Sequence, residues 1–143
     1  MAPDRVRDSG LEYTMQVLCD TSFLMVLVEK PIKYIDRIEH EFGRLDFIVP
    51  EIVVGELRRL AEKAGPKRAM MAKTALEVIN AKFRQVQIPK AAHVDDAIVE
   101  YATENKCAVA TIDTNLRRRL IANEVLVLTL SRDRLVVANP NLG

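Results

Sequence analysis

The stretch MQVLCDTSFLMVLV, residues 15–28, sets an apolar run against one carboxylate, then two hydroxyls, then a second apolar run. Met15 to Cys19 reads as a buried strand, because continuous rather than alternating apolarity is what a strand covered on both faces requires. Asp20 ends it. A lone charge at the edge of a core is costly, so Asp20 needs a reason to be there. Either it caps a helix that begins near Ser22, or it belongs to a group of carboxylates that shares a cation.

Working outward, the same kind of apolar run recurs at 46–49 (DFIV), 107–111 (CAVAT) and 125–129 (VLVLT), with a short final strand expected at 134–138 (RLVVA). Helical periodicity lies between these runs. It covers 32–41, with Ile32, Ile35 and Ile38 on one face, and 50–63, where Pro50 suits a first turn. Gly65–Pro66 ends that helix; 67–83, 94–105 and 114–123 supply the others. Strands alternating with helices and joined by right-handed crossovers make an α/β fold, a three-layer α/β/α sandwich around a parallel sheet. Ligands of such sheets sit outside the carboxyl ends of the strands, near the point where strand order reverses.

A chain of 143 residues suits a single domain able to bury a core without disulfides. No apolar run reaches the roughly 18 residues a membrane span needs, and the first 14 residues lack the apolar middle of a signal peptide. Residues 1–14 are expected to be a poorly ordered extension, with the domain over 15–143 and the cytoplasm as its compartment. Cys19 and Cys107 are expected to be buried free thiols, offset along neighbouring parallel strands and too far apart to bond. With no cysteine pair and two histidines, His40 and His93, any metal must be held by oxygen. The formal net charge of +1 leaves a polyanionic partner open.

Four acidic positions fall where one cleft could collect them. Asp20 and Asp113 follow strands, Glu56 lies inside the helix that starts at Pro50, and Asp95–Asp96 open the helix DDAIVEYA. Each has a plainer explanation as a helix cap, a dipole-favoured first-turn acid or a solvated helix residue. Those explanations do not account for all of them lying at one end of the sheet. Two carboxylates about 4 Å apart repel by roughly 4 kcal/mol at an effective dielectric near 20. A hard divalent cation reverses that sign, and two such ions can hold a phosphodiester and support its hydrolysis. Other phosphate chemistries lack their signatures: the five glycines form neither a P-loop nor a dinucleotide fingerprint. Ser22 stands where a haloacid-dehalogenase-type phosphatase would want its second Asp, and Asp20 lacks the acidic neighbour of a receiver domain.

VLCDTSFLM (17–25) resembles the opening strand and first acidic motif of the PIN-domain nucleases. VPEIVVGELRRL (49–60) resembles the second, with Glu56 at the acidic position. VDDAIVEYATENKCAVATIDTNLRRRL (94–120) resembles the third and fourth, with Asp96 ahead of Ala97–Ile98 and Asp113 in Thr111–Ile112–Asp113. The resemblance spans about residues 15–130. It implies a five-stranded parallel sheet of order 3-2-1-4-5, a cleft binding Mg²⁺ or Mn²⁺ as two ions, single-stranded RNA as substrate, and often a homodimer. By carry-over Asp20, Asp96 and Asp113 are metal ligands, with Asp95 in reserve. Glu56 binds a metal or positions the attacking water, and Ser22 and Thr111 orient Asp20 and the phosphate. Asn115 stands where many members have a further Asp.

Arg117, Arg118 and Arg119 follow Asp113 on one helix; one or two of them are expected at RNA phosphates, with Lys67 and Arg68 extending the track. They cannot all face one cleft, since neighbouring helical positions diverge by about 100°. The ending LRRRL…VLVLTLSR resembles the archaeal and small-subunit-processome branch associated with ribosomal RNA maturation, which would bring ribosome-assembly factors as partners. The toxin branch, whose members pair with an antitoxin, is the competing reading. A non-catalytic RNA-binding scaffold is the alternative from another class.

Overall fold

In the computed structural model the described residues are 7–8, 12–29, 35–132 and 134–139. The strands are β1 (Arg7–Asp8), β2 (Glu12–Cys19), β3 (Arg44–Pro50), β4 (Arg84–Val86), β5 (Ala108–Ala110), β6 (Val127–Ser131) and β7 (Arg134–Val137). The helices are α1 (Thr21–Leu27), α2 (Ile35–Phe42), α3 (Glu51–Lys63), α4 (Pro66–Lys82), α5 (Val94–Asn105) and α6 (Thr114–Ala122). Ile32, counted in the expected helix over 32–41, lies outside the described residues.

The strands run in the order β4-β3-β2-β5-β6-β7. All neighbours from β4 to β6 are parallel, which is the expected 3-2-1-4-5 sheet. β7 adds an antiparallel edge against β6, and β1 pairs antiparallel with the first residues of β2. β2 therefore begins at Glu12, ahead of the apolar run that marks it in the sequence. β4 was not foreseen. It is three residues long, RQV, and exposed or half-exposed throughout, so it carries no apolar run to read. The rule of continuous apolarity applies to strands flanked on both sides, and β4 is an edge.

Helices cover both sides of the sheet: α1, α3 and α4 pack on one another, and α5 packs on α6. The buried centre is made by Val17, Leu18 and Cys19 of β2 with Ala108, Val109 and Ala110 of β5, all consecutive and all inaccessible to solvent. Pro50 ends β3 and stands at the N-cap of α3 rather than in its first turn; Pro66 is the residue that opens a helix, α4. After α2, Gly43 turns the chain with φ of 95° while its N–H donates to the Glu39 carbonyl at 2.8 Å, a left-handed stop that suits glycine.

Cys19 and Cys107 are buried and free. Cys19 pairs in register with Ala110, three residues beyond Cys107. At about 3.3 Å per residue that offset is roughly 10 Å along the strands, too far for a disulfide. No helix among the described residues is long and apolar enough to cross a membrane.

Candidate functional site

β2 lies between β3 and β5, and the chain leaves it toward one side and returns on the other. Its carboxyl end is thus the switch point, where diverging connections open a crevice. Asp20 occupies that end. Its Oδ1 accepts from the Phe23 N–H at 2.8 Å, which caps α1. The Ser22 hydroxyl lies 2.9 Å from Oδ1 and 3.0 Å from Oδ2, and the Thr111 hydroxyl donates to Oδ2 at 2.5 Å. Asp20 is only 5% exposed. Burial pushes its carboxyl up from 3.8 to about 6, against the hydrogen bonds from Thr111, Phe23 and Ser22 that favour the ionised form; the Asp95 charge adds to the rise.

The same donors fasten the opposite wall. Thr111 Oγ1 also accepts from the Asp113 N–H at 3.0 Å, Ser22 Oγ accepts from the Ile112 N–H at 3.2 Å, and Asp113 Oδ1 caps α6 through the Leu116 N–H at 3.0 Å. Glu56, from α3, is reached by the hydroxyl of Thr21, which donates to Oε1. These groups share a cleft of about 480 Å³, lined by Asp20, Glu56, Asp95 and Asp113 and by an apolar wall that includes Met25, Met71, Ile98 and Ile112. Asp95 feels its companions. Desolvation raises its carboxyl first, then the charges of Asp113 and Glu56, with Arg119 pulling the other way.

Asp20 caps α1 and also lines the cleft. Asp113 likewise caps α6 and lines the cleft. The two acids that open α5 are placed differently. Asp96, the expected ligand, does not line the cleft; its Oδ1 accepts from Arg119 Nη2 at 2.8 Å, and the reserve residue Asp95 points inward instead. Adjacent side chains on a helix diverge by about 100°, so only one of the pair can face the site.

The members of the basic track are placed differently too. Arg68 lines the cleft, whereas Lys67, Arg117 and Arg118 do not, and Arg119 is taken up by Asp96. Asn115 is exposed and outside the cleft. Thr21 was missed by sequence reasoning. Its signal was the first hydroxyl of DTS, which has no cap to make once Asp20 has capped α1.

Among the described residues, no three His, Cys, Asp or Glu side chains are assembled as a ready-made metal site. The donor chemistry nevertheless fits a hard cation. Every polar group on the acidic wall is an oxygen, and one carboxyl there, that of Asp95, is raised by burial first and then by the charges of its neighbours.

A mostly parallel sheet of this order, with carboxylates from the β2–α1 link, α3, α5 and the β5–α6 link at its switch point, has the PIN-like architecture. The chain belongs to the PIN-like domain family, whose profile matches residues 17–134. Its structure is similar to that of the PIN domain endonuclease Utp24, at 21% identity over 86% of this chain and 90% of that one, with a TM-score of 0.67. PAE2754 from Pyrobaculum aerophilum is a more distant match, at 16% identity, 73% and 79% coverage and a TM-score of 0.47. No curated protein sequence matches the chain.

Proposed function

We propose that this protein is an endoribonuclease that hydrolyses phosphodiester bonds of single-stranded RNA and depends on Mg²⁺ or Mn²⁺. One observation carries the reading: Asp20, Glu56, Asp95 and Asp113, from four separate elements, line a single cleft at the switch point of the sheet. Asp20, Asp95 and Asp113 would hold the cation. When bound, such an ion supplies positive charge against the phosphate and against the negative charge that grows on the leaving oxygen. Glu56, oriented by Thr21, accepts the proton of the attacking water. Ser22 and Thr111 keep Asp20 turned toward the cleft, and Arg68 meets a phosphate of the RNA.

The proposed setting is cytoplasmic ribosomal RNA processing or RNA turnover, with ribosome-assembly factors as partners and the homodimer as the working form. An antitoxin gene beside this one would redirect the assignment to a toxin. The activity test is cleavage of a fluorescent single-stranded RNA with Mg²⁺ or Mn²⁺. Wild type is expected to cut, Asp20→Asn and Asp113→Asn to lose at least about 100-fold, and a chelator to stop the reaction. Equal rates in all three proteins would remove the assignment. RNA binding without turnover, indifferent to chelator, would make the chain a scaffold.

A further inference from the structure

Two large apolar side chains stand exposed among the described residues, Met70 at 61% and Ile112 at 37%. Ile112 lies between the buried Thr111 and the cleft-lining Asp113, in the link from β5 to α6. Its backbone is pinned on both sides. The Ile112 N–H donates to Ser22 Oγ at 3.2 Å, and the next N–H, that of Asp113, donates to Thr111 Oγ1 at 3.0 Å. Retracting Ile112 into the core would break the two hydroxyl contacts that also hold Asp20. The side chain is therefore kept in the open by the acidic site itself.

The surroundings say what could cover it. Met71 lines the same cleft beside the largely buried Met25, and no aromatic side chain among the described residues does. Arg68 is the one cation in that lining, and it has no ion pair among the described residues. A space of about 480 Å³ is in the range of small-ligand pockets. A partner that fits must bring a flat apolar face for the aliphatic wall, a phosphate for Arg68 and a second phosphate near the carboxylates. We propose that Ile112 is the platform for an unpaired nucleobase beside the scissile phosphate, completed by Met25 and Met71. Resting on the function proposed above, this makes an unstacked nucleotide the feature recognised. A base inside a duplex has both faces covered by its neighbours and offers nothing to this wall. Aliphatic contact to a base face is sequence-tolerant, because every base has one.

The test uses Ile112→Ala and Ile112→Phe in the full chain, with a single-stranded RNA and the same RNA carrying an abasic nucleotide next to the mapped cut. Ile112→Ala is expected to raise KM about fivefold with kcat within about twofold, and Ile112→Phe to lower KM. The abasic RNA should cost wild type a similar factor and Ile112→Ala almost nothing. Fluorescence anisotropy of RNA binding in EDTA reads the same contact without turnover, with Kd expected to rise about fivefold in Ile112→Ala. Unchanged KM and Kd in both variants would overturn the platform while leaving the nuclease reading intact. Wild type that binds RNA but does not cut would remove the nuclease reading and leave the anisotropy arm to judge Ile112. Wild type that binds no single-stranded RNA would overturn the platform too. So would a dimer that dissociates in Ile112→Ala with RNA binding unaltered, since a second copy would then be what covers the residue.

Discussion

Arg119 Nη2 donates to Asp96 Oδ1 at 2.8 Å, tying α6 to α5, while Asp95, one residue earlier, faces the cleft. The buried face of α5, with Ala97, Ile98, Val99 and Ala102, sets the rotation that gives Asp95 to the site. The ion pair accompanies it; its members are 47% and 32% exposed, so it is worth little in stability. Asp95→Asn is expected to lower the cleavage rate at least about 100-fold, and Asp96→Asn about threefold or less. Single-turnover rates on one RNA compare the two, and the reverse order would return Asp96 to the site.

Asp20 makes stability depend on pH with a definite sign. Its carboxyl titrates near 6 when folded and near 3.8 when unfolded. Below 3.8 both states hold the proton and nothing is lost. As pH rises from there to 6, the unfolded chain sheds its proton first and the folded state loses up to about 3 kcal/mol. Asp95, also raised, acts in the same direction. Urea unfolding in EDTA should thus show less stability at pH 7 than at pH 5, and Asp20→Asn should flatten much of that slope. A wild-type profile that rises from pH 5 to 7 would contradict it.

The Thr21 hydroxyl donates to Glu56, and a carboxylate so held is fixed in direction. Thr21→Val removes the donor and keeps the volume. The cleavage rate at saturating Mn²⁺ is expected to fall about tenfold, with Thr21→Ser restoring it. If Val and Ser behave alike, the hydroxyl has no such part.

Asn139 is buried at the end of the chain's described part. Its Oδ1 accepts from the Val127 N–H at 3.1 Å and its Nδ2 donates to the Val125 carbonyl at 3.0 Å, closing β6 against the segment after β7. Asn139→Ala leaves both backbone groups without partners in a dry place, and should cost about 1–3 kcal/mol by urea unfolding with kcat unchanged.

Residues 15–19, 107–111 and 125–129 could be read from the chain because strands covered on both faces must be apolar at every position. The final strand at 134–138 was legible from its apolar residues, but its antiparallel pairing at the sheet edge was not. β4 was not, since a half-exposed edge of three residues has no composition of its own. The family motifs were also local: each acid sits in a short pattern of apolar neighbours that survives without any knowledge of packing.

What only the tertiary structure decided is which atoms meet. A carboxylate at position 95 and one at 96 are indistinguishable as letters, and a rotation of about 100° separates them in space. The fate of the arginine run turned on the same angle, which gives Arg119 to Asp96 and leaves the cleft to Arg68 from a different helix. Local pattern determines whether a segment is strand or helix, because periodicity and burial act along the chain. The direction of a side chain is set by what packs across from it, and those partners lie tens of residues away: Thr21 with Glu56, Ser22 with Ile112, Thr111 with Asp20.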